Sequence, residues 1–523
     1  MARRWRQRKD AASGPPMMQG TPPAPLGDVV IIGAGVSGLA CARAVLRWGC
    51  RSLVVLEKAA DLGGVWQSNV YPDLALHLKS FSYSFYDFPL ESSAERASRE
   101  EIKDYLERYA SSFGAQGHIK FGHEVQQVIY HGEGDSSRPC CEVVARSAGG
   151  GEPARFRADF VICAVGFSNA GLASIPVLEG SDSFAGRVVH SSAFSEELMS
   201  EVASKQLKVV VLGAGKSAVD ILVALKRRGH DAQQWLYAKS MWFFAWEHMY
   251  GRSGIAWLLR SLLLGVWLQV RMVFGECWLE RGLQCLVRAA GVLVNAAEPD
   301  CAEGIERCRF AMVRREELEM LSAVPRARGL VRRLTRGGLE LEDGRQLPAD
   351  VLVCATGFRR GGSLPPLLVP DTLGGLSELN LAAADGPSLY RAMIPAACPR
   401  IAMFAGENLT TQTPMAASLQ AEWLVRFYAS GSHLRAGDLH ATVAKDRQAL
   451  RHYAWPRAAS DSGLSGGNPY MDVILPAVLH YEQQVLADLG LPQLPLDGNR
   501  NPAAFAAYCA EAGRRLGTTS RGR

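Results

Sequence analysis

The sequence predicts an α/β fold of two Rossmann-like dinucleotide-binding lobes, the second inserted into a discontinuous first. Three observations predict it. An apolar strand-like run, a glycine-rich turn and a helix follow one another near residue 30, and the same order recurs near residue 210. Two later apolar runs, 160–166 and 351–357, each end on glycine. At 523 residues the chain also exceeds what one hydrophobic core ordinarily fills.

Residues 1–27 contain no hydrophobic signal core, and Pro15, Pro16, Pro22, Pro23 and Pro25 discourage helix. Five basic residues (Arg3, Arg4, Arg6, Arg8, Lys9) stand against Asp10 alone, so this stretch holds +4 of the formal +5. It reads as a disordered basic extension, with a targeting peptide as the alternative. The remaining body is nearly neutral, which excludes the clustered basic charge of a nucleic-acid footprint. The twelve cysteines form no CxxC pair and no Cys/His spacing suited to zinc. They predict reduced, mostly buried thiols, a cytoplasmic setting and no metal. Asn408-Leu409-Thr410 reads as a chance sequon.

Val29-Val30-Ile31-Ile32 predicts the first strand, 37–48 a helix and 53–56 a second strand. Between strand and helix stands Gly33-Ala34-Gly35-Val36-Ser37-Gly38, a GxGxxG pattern in the context it requires. Gly33 permits the turn, Gly35 lets backbone approach a pyrophosphate, and Gly38 allows close helix–strand packing. Val36 and Ser37 place free N–H groups at the helix start, where phosphate charge is stabilised. Glu57, with Lys58 beside it, closes the second strand 19 residues after Gly38, where a carboxylate accepts ribose hydroxyl hydrogen bonds.

The second copy begins at Val209-Val210-Val211-Leu212, followed by Gly213-Ala214-Gly215-Lys216-Ser217-Ala218 and a helix over 217–228. A P-loop would need glycine at 210, which is valine, so Lys216-Ser217 does not make one. The next strand, 235–237, runs into Ala238-Lys239-Ser240 with no acid. A cation and a hydroxyl, Lys239 and Ser240, suit the 2′-phosphate of NADPH better than the free ribose of NADH. Two such sites in one chain imply a tightly held flavin, FAD, facing an exchanging NADPH, because hydride transfer needs both rings in contact.

The insert 243–283 is rich in apolar residues, and Arg260, Ser261, Gly265 and Gln269 interrupt its 255–270 run. It falls short of the roughly 18 uninterrupted apolar residues of a spanning helix. Three readings stay open: a buried helix, a membrane-surface contact through 255–274, or a wall of a substrate channel. Trp242, Phe243, Phe244 and Trp246 suit either an apolar ligand or a core.

The segment Phe184 to Phe194, which contains Gly186 and His190, matches FxGxxxHxxxF at every fixed position. With the two glycine motifs, it makes the chain resemble the flavin-containing monooxygenases and their Baeyer–Villiger relatives, the class B flavoprotein monooxygenases. The resemblance runs from about residue 28 to 430. Gly63-Gly64-Val65-Trp66 is similar to the family's GGxW segment beside FAD, implying that Gly64, Val65 and Trp66 touch that cofactor. Asp350 to Phe358 is similar to its DxxxxATGF segment, giving Thr356 and Gly357 a lobe-linking role. Ile175-Pro176, Phe404-Ala405-Gly406 and Gln420-Ala421-Glu422-Trp423 also fit.

The implied activity is that of an NADPH-dependent flavin monooxygenase similar to N,N-dimethylaniline monooxygenases. Reduced flavin and dioxygen form a C4a-hydroperoxyflavin, which oxygenates a soft nitrogen or sulfur nucleophile on a small, apolar substrate. Ketone oxidation of the Baeyer–Villiger type and a non-catalytic flavin-binding module are the alternatives. Phe194-Ser195 favours the nitrogen/sulfur branch, since the ketone branch usually carries Trp at that place. Two departures stand out. His77 occupies the position where animal-type members carry a flavin-side asparagine, with Asn69 as an alternative catalytic candidate. Ala238 replaces an arginine often found near the NADPH phosphate. The predicted division is 1–27 extension, 28–170 first FAD part, 171–340 NADPH lobe with the insert, 341–510 return to the FAD lobe and 511–523 flexible tail.

Overall fold

The computed structural model describes residues 25–132, 140–166, 173–238, 312–358, 389–391, 393–404, 413–430, 484–493 and 501–517, with shorter stretches inside 242–299 and 365–378. Residues 1–24, the sequon, Lys239, Ser240 and most of the 255–274 segment lie outside the described residues.

Two five-stranded sheets carry the architecture. The first has the order Ile401–Met403, Phe160–Cys163, Leu26–Ile32, Cys50–Leu56, Ile119–Lys120, all parallel. The second has the order Arg326–Arg328, Gln233–Tyr237, Val209–Leu212, Val351–Cys354, Arg187–His190, also all parallel. Their central strands are continuous β-branched runs, as strands covered on both faces must be. Val29, Val30 and Ile31, like Val209, Val210 and Val211, are at most 2% exposed.

The helix Val36–Trp48 packs on the first sheet, and Thr413–Ser430 packs against that helix. The chain therefore leaves the first lobe, builds the second, and returns with both a strand and a helix. Buried ions brace the return: Arg47 Nε donates to Glu422 at 3.1 Å, and Tyr86 Oη donates to the same carboxylate at 2.9 Å.

Two boundaries differ from the sequence reading. The strand Val351–Cys354 pairs with Val209–Leu212 and Arg187–His190, so it belongs to the second sheet and not to a returning part that starts at 341. Its fully apolar sequence fits the centre of either sheet, and only the register decides. Secondly, the chain is helical over Pro502–Leu516, where a flexible tail from 511 is expected. Asn501 caps the helix by accepting from the N–H groups of Ala503 and Ala504, Pro502 occupies its first turn, and Gly517 ends it in the left-handed region. Phe505, Tyr508, Ala512 and Leu516 are buried, and Arg47 Nη1 donates to the Leu516 carbonyl at 3.0 Å.

Candidate functional site

Each parallel sheet opens a crevice where its strand order reverses, beside the first strand of the unit. In the first sheet Gly33 N–H donates to the Leu56 carbonyl and Ala164 N–H to the Ile32 carbonyl, both at 2.8 Å. In the second, Gly213 N–H donates to Leu236 and Ala355 N–H to Leu212, again at 2.8 Å. Gly33 has φ +101° and Gly213 φ +125°. A β-carbon would stand 2.5 Å from the Ala164 oxygen at the first and 2.4 Å from the Ala355 oxygen at the second. Both turns accept glycine alone.

The helices that follow, Val36–Trp48 and Lys216–Arg227, start on Gly35 and Gly215. Neither has a side-chain cap or an acid in its first turn. The helices Arg99–Ser112 and Glu196–Ser204 instead have serine caps and two glutamates in the first turn. The two glycine-started helices thus keep their N–H groups and positive dipole end for an outside anion. Gly35 and Gly64 face each other, and a β-carbon on Gly64 would lie 3.1 Å from Gly35 Cα. Gly63 N–H donates to the Ala34 carbonyl at 3.0 Å, joining GGxW to the first turn. This backbone-walled cradle fits a pyrophosphate and a flat ring system.

Glu57 is 7% exposed. It accepts from Ala34 N–H at 2.7 Å and Ala59 N–H at 2.8 Å, one bond per oxygen. A carboxylate has about four acceptor sites, so lone pairs remain for a ribose. Lys58 beside it is exposed. Trp66 Nε1 donates to Tyr83 Oη at 2.7 Å, which fixes the indole. Val65 is 40% exposed. Val36 is buried and Ser37 half-buried, which leaves backbone as their contribution to the cradle.

The third motif position differs between lobes for a physical reason. A β-carbon on Gly38 would stand 1.9 Å from the Gly33 carbonyl oxygen. In the second lobe the Gly213 carbonyl accepts from Trp235 Nε1 at 2.7 Å, and Ala218 packs fully buried. Lys216, expected at the cofactor, is 8% exposed and its ammonium pairs with Asp220 one helical turn on. Its side chain therefore points into the lobe seam and leaves backbone for the pyrophosphate. Ser217 lies beside Tyr71 at the same seam.

Sequence reasoning did not single out the residues of that seam. Tyr71 Oη donates to Asp220 at 3.3 Å, Arg96 Nη1 donates to Glu317 at 2.8 Å, and Arg228 Nη1 donates to Asp73 at 3.0 Å. Asp73 holds φ +59°, a left-handed turn after Pro72 that presents its carboxylate to the second nucleotide helix. A cleft of about 940 Å³ bordered by Tyr71, Asp73, Ser98, Ser195 and Arg227 lies along the seam. A second, of about 310 Å³, is bordered by Asp73, Arg96, Asp220, Arg314 and Glu317.

His77 is half-buried and makes no hydrogen bond to a described residue. Burial holds its pKa well below 6.5, and the nearby Lys216 and Arg96 cations push it the same way. Asn69 has a buried Oδ1 without a partner among the described residues. Phe243 is 1% and Trp246 6% exposed, so both are core. The Trp246 ring lies 5.5 Å from the Arg96 guanidinium and 5.0 Å from that of Arg314. The side chains of Trp242 and Phe244 lie outside the described residues.

The FxGxxxHxxxF segment knits these parts together. His190 is 3% exposed; its Nδ1 accepts from Ser192 N–H at 3.2 Å, and its Nε2 donates to the Gly357 carbonyl at 2.8 Å. Ser174 N–H donates to the same carbonyl at 2.9 Å, and Thr356 Oγ1 donates to Ser174. On the other side Val70 N–H donates to the Ser192 carbonyl at 3.2 Å. One short segment thus touches both the GGxW neighbourhood and the ATGF segment.

The family model described as flavin-binding monooxygenase-like matches residues 27–246.

Over these residues the chain is similar to the flavin-binding monooxygenase-like family.

Among curated relatives, the putative flavin-containing monooxygenase 2 of Arabidopsis thaliana is 27% identical over 427 residues, covering 76% of this chain and 85% of its own length. A Baeyer–Villiger monooxygenase of Streptomyces coelicolor is 32% identical over 200 residues, 38% of this chain and 35% of its own. The open crystal structure of cyclohexanone monooxygenase superposes with TM-score 0.64 at 20% identity, over 89% of this chain and 98% of that one. Oxidised steroid monooxygenase bound to NADP gives the same TM-score and coverage at 18% identity. These structures share the family's fold of two nucleotide lobes.

Proposed function

We propose that the chain is an FAD- and NADPH-dependent monooxygenase that places one atom of dioxygen on a soft nitrogen or sulfur centre of a small, apolar organic substrate. The observation that carries this reading is the pair of glycine cradles, with the His190 segment bound to Gly357 beside the second and through Ser192 to Val70 on the side of the first. Gly33, Gly35, Val36, Ser37 and Gly38 would hold the FAD pyrophosphate by backbone, with Glu57 and Lys58 at its ribose and Gly64, Val65 and Trp66 along its ring system. Gly213, Gly215, Lys216, Ser217 and Ala218 would hold the NADPH pyrophosphate, with Lys239 and Ser240 toward its 2′-phosphate. Thr356 and Gly357, bonded to Ser174 and His190, would serve as the linking segment between the lobes. When bound, the flavin supplies hydride acceptance and the activation of dioxygen.

The chain's own work is positioning and exclusion of water. His77, held neutral by burial near Lys216 and Arg96, offers one donor and one acceptor on the side of the second cradle; Asn69 offers an acceptor unused among the described residues. The nine described cysteines are all free thiols, which fits a reducing, cytoplasmic setting. Among the described residues no helix is long and apolar enough to cross a membrane. Leu259, Leu262 and Val266 are exposed, which supports contact with a membrane surface through 255–274.

Ketone oxidation is the second reading, favoured by the Streptomyces relative named for that reaction. The test is NADPH and oxygen consumption by the FAD-loaded protein with a tertiary amine, a thioether and a cyclic ketone, followed by product analysis. N-oxide or sulfoxide supports the first reading, and lactone replaces it with the second. Bound FAD without NADPH consumption above background would leave a binding module and refute both.

A further inference from the structure

The remaining question at the second lobe is what reads the far end of the pyridine nucleotide. In a parallel nucleotide sheet, the end of the strand after the glycine-turn helix reads the adenosine ribose. A carboxylate there accepts from a free 2′-hydroxyl, whereas a nearby arginine accommodates a 2′-phosphate. Here the strand Gln233–Tyr237 has no carboxylate at its end. Its outer neighbour, Arg326–Arg328, runs parallel in the register Trp235↔Arg326, Leu236↔Ala327, Tyr237↔Arg328. The two strands therefore finish at one level, and Gly329 N–H continues the pairing by donating to the Tyr237 carbonyl at 3.0 Å.

Strand alternation fixes the face. Leu236 and Ala327 are buried together on one side of the sheet. Trp235 and Tyr237 lie on the other, in the core shared with the second nucleotide helix. Arg328 thus stands beside Tyr237 on the nucleotide-helix side, exposed, at the carboxyl end of the sheet. Its backbone is held: Arg345 donates to the Arg328 carbonyl, and that guanidinium is itself paired with Asp343 at 2.7 Å.

We infer that Arg328 determines nucleotide specificity by reading the 2′-phosphate of NADPH from the neighbouring strand, in the place left by Ala238. This deepens the NADPH reading proposed above and rests on it. A guanidinium offers a planar fork of donors that matches two phosphate oxygens, which a lysine does not.

The test is calorimetric titration of the FAD-loaded protein with NADP⁺, NAD⁺ and 2′,5′-ADP, for the wild type, Arg328→Ala, Arg328→Lys and Lys239→Ala. Arg328→Ala is expected to weaken NADP⁺ and 2′,5′-ADP roughly tenfold or more and to leave NAD⁺ unchanged, with Arg328→Lys between it and wild type. Retained NADP⁺ preference in Arg328→Ala overturns the inference, as does an equal loss for NAD⁺ or a preference removed wholly by Lys239→Ala. Wild-type protein that binds neither nucleotide is a different failure: it refutes the NADPH reading itself.

Discussion

His190 Nε2 reaches across 167 residues of sequence to donate to the Gly357 carbonyl at 2.8 Å. The Ser192 N–H on Nδ1 fixes the tautomer that makes this possible. Burial also lowers the His190 pKa, so the imidazole stays neutral and ties the end of its own strand to the Gly357 turn, next to Ser192, whose carbonyl accepts from Val70 of the first lobe. His190→Phe removes the donor but leaves Ser174 N–H on Gly357, so the expected stability loss is modest, about 1 kcal/mol. FAD content is expected to persist, while NADPH-driven flavin reduction in an anaerobic stopped-flow experiment slows by roughly tenfold or more. An unchanged rate would remove His190 from the link between the two cradles.

The third motif positions give a paired prediction. Gly38→Ala places a methyl group on the Gly33 carbonyl and is expected to yield protein without flavin, destabilised by about 1–3 kcal/mol. Ala218→Gly removes a methyl group that has room, and is expected to keep nucleotide binding at a cost of roughly 0.5–1 kcal/mol. Flavin absorbance after purification and denaturant midpoints read the two outcomes. Flavin retained at wild-type level in Gly38→Ala would contradict the backbone clash.

His77 sets one pH dependence. Its folded pKa is depressed by burial first and by Lys216 and Arg96 next, while the unfolded chain titrates near 6.5. Below that value the unfolded state takes up a proton that the folded state refuses. Stability attached to His77 is therefore full above about pH 6.5 and falls as the solution is acidified. His77→Asn is expected to flatten that slope in urea unfolding series at pH 5.5 and 7.5. Lys216→Met is expected to raise the His77 titration midpoint measured by NMR.

Asp87 sets an opposite one. Burial pushes its carboxyl up to about 6, against the attraction of Arg43 and with help from the Glu422 charge. Its Oδ1 has no partner among the described residues, and Arg43 Nη2 lies 3.3 Å from Oδ2. The folded state here holds its proton more tightly than the unfolded one. Stability is greatest near pH 4 and declines through about pH 6, by roughly 2–3 kcal/mol for this group. Asp87→Asn is expected to abolish that decline; an unaltered slope would place its origin elsewhere.

Much of the site was legible because glycine is forced by sterics. Gly33, Gly38 and Gly213 each face a carbonyl oxygen that no β-carbon tolerates, so the motif is a direct trace of geometry. His190 was legible as a motif member, but its partner was not. The ammonium of Lys216 gave no sequence sign of turning to Asp220, because i,i+4 pairing and phosphate binding need the same residue type. Arg328 gains its place from a strand register set almost a hundred residues after Tyr237, which no local pattern records. The strand Val351–Cys354 was legible as a strand and ambiguous as to sheet. The helix Pro502–Leu516 did carry its signals, Asn501 before Pro502 and Gly517 after Leu516, and its alanine-rich sequence made a packed face easy to overlook.

The order of strands in the first sheet also bears on synthesis. Leu26–Ile32 and Phe160–Cys163 pair early, but the edge of Phe160–Cys163 stays uncovered until Ile401–Met403 arrives, some 240 residues later in the chain. The second sheet has all five strands once Cys354 is made. A ribosome delivering this chain from its amino end therefore releases a completed inserted lobe before the lobe that surrounds it is closed. The intervening edge is open to wrong pairing for as long as those residues take to emerge.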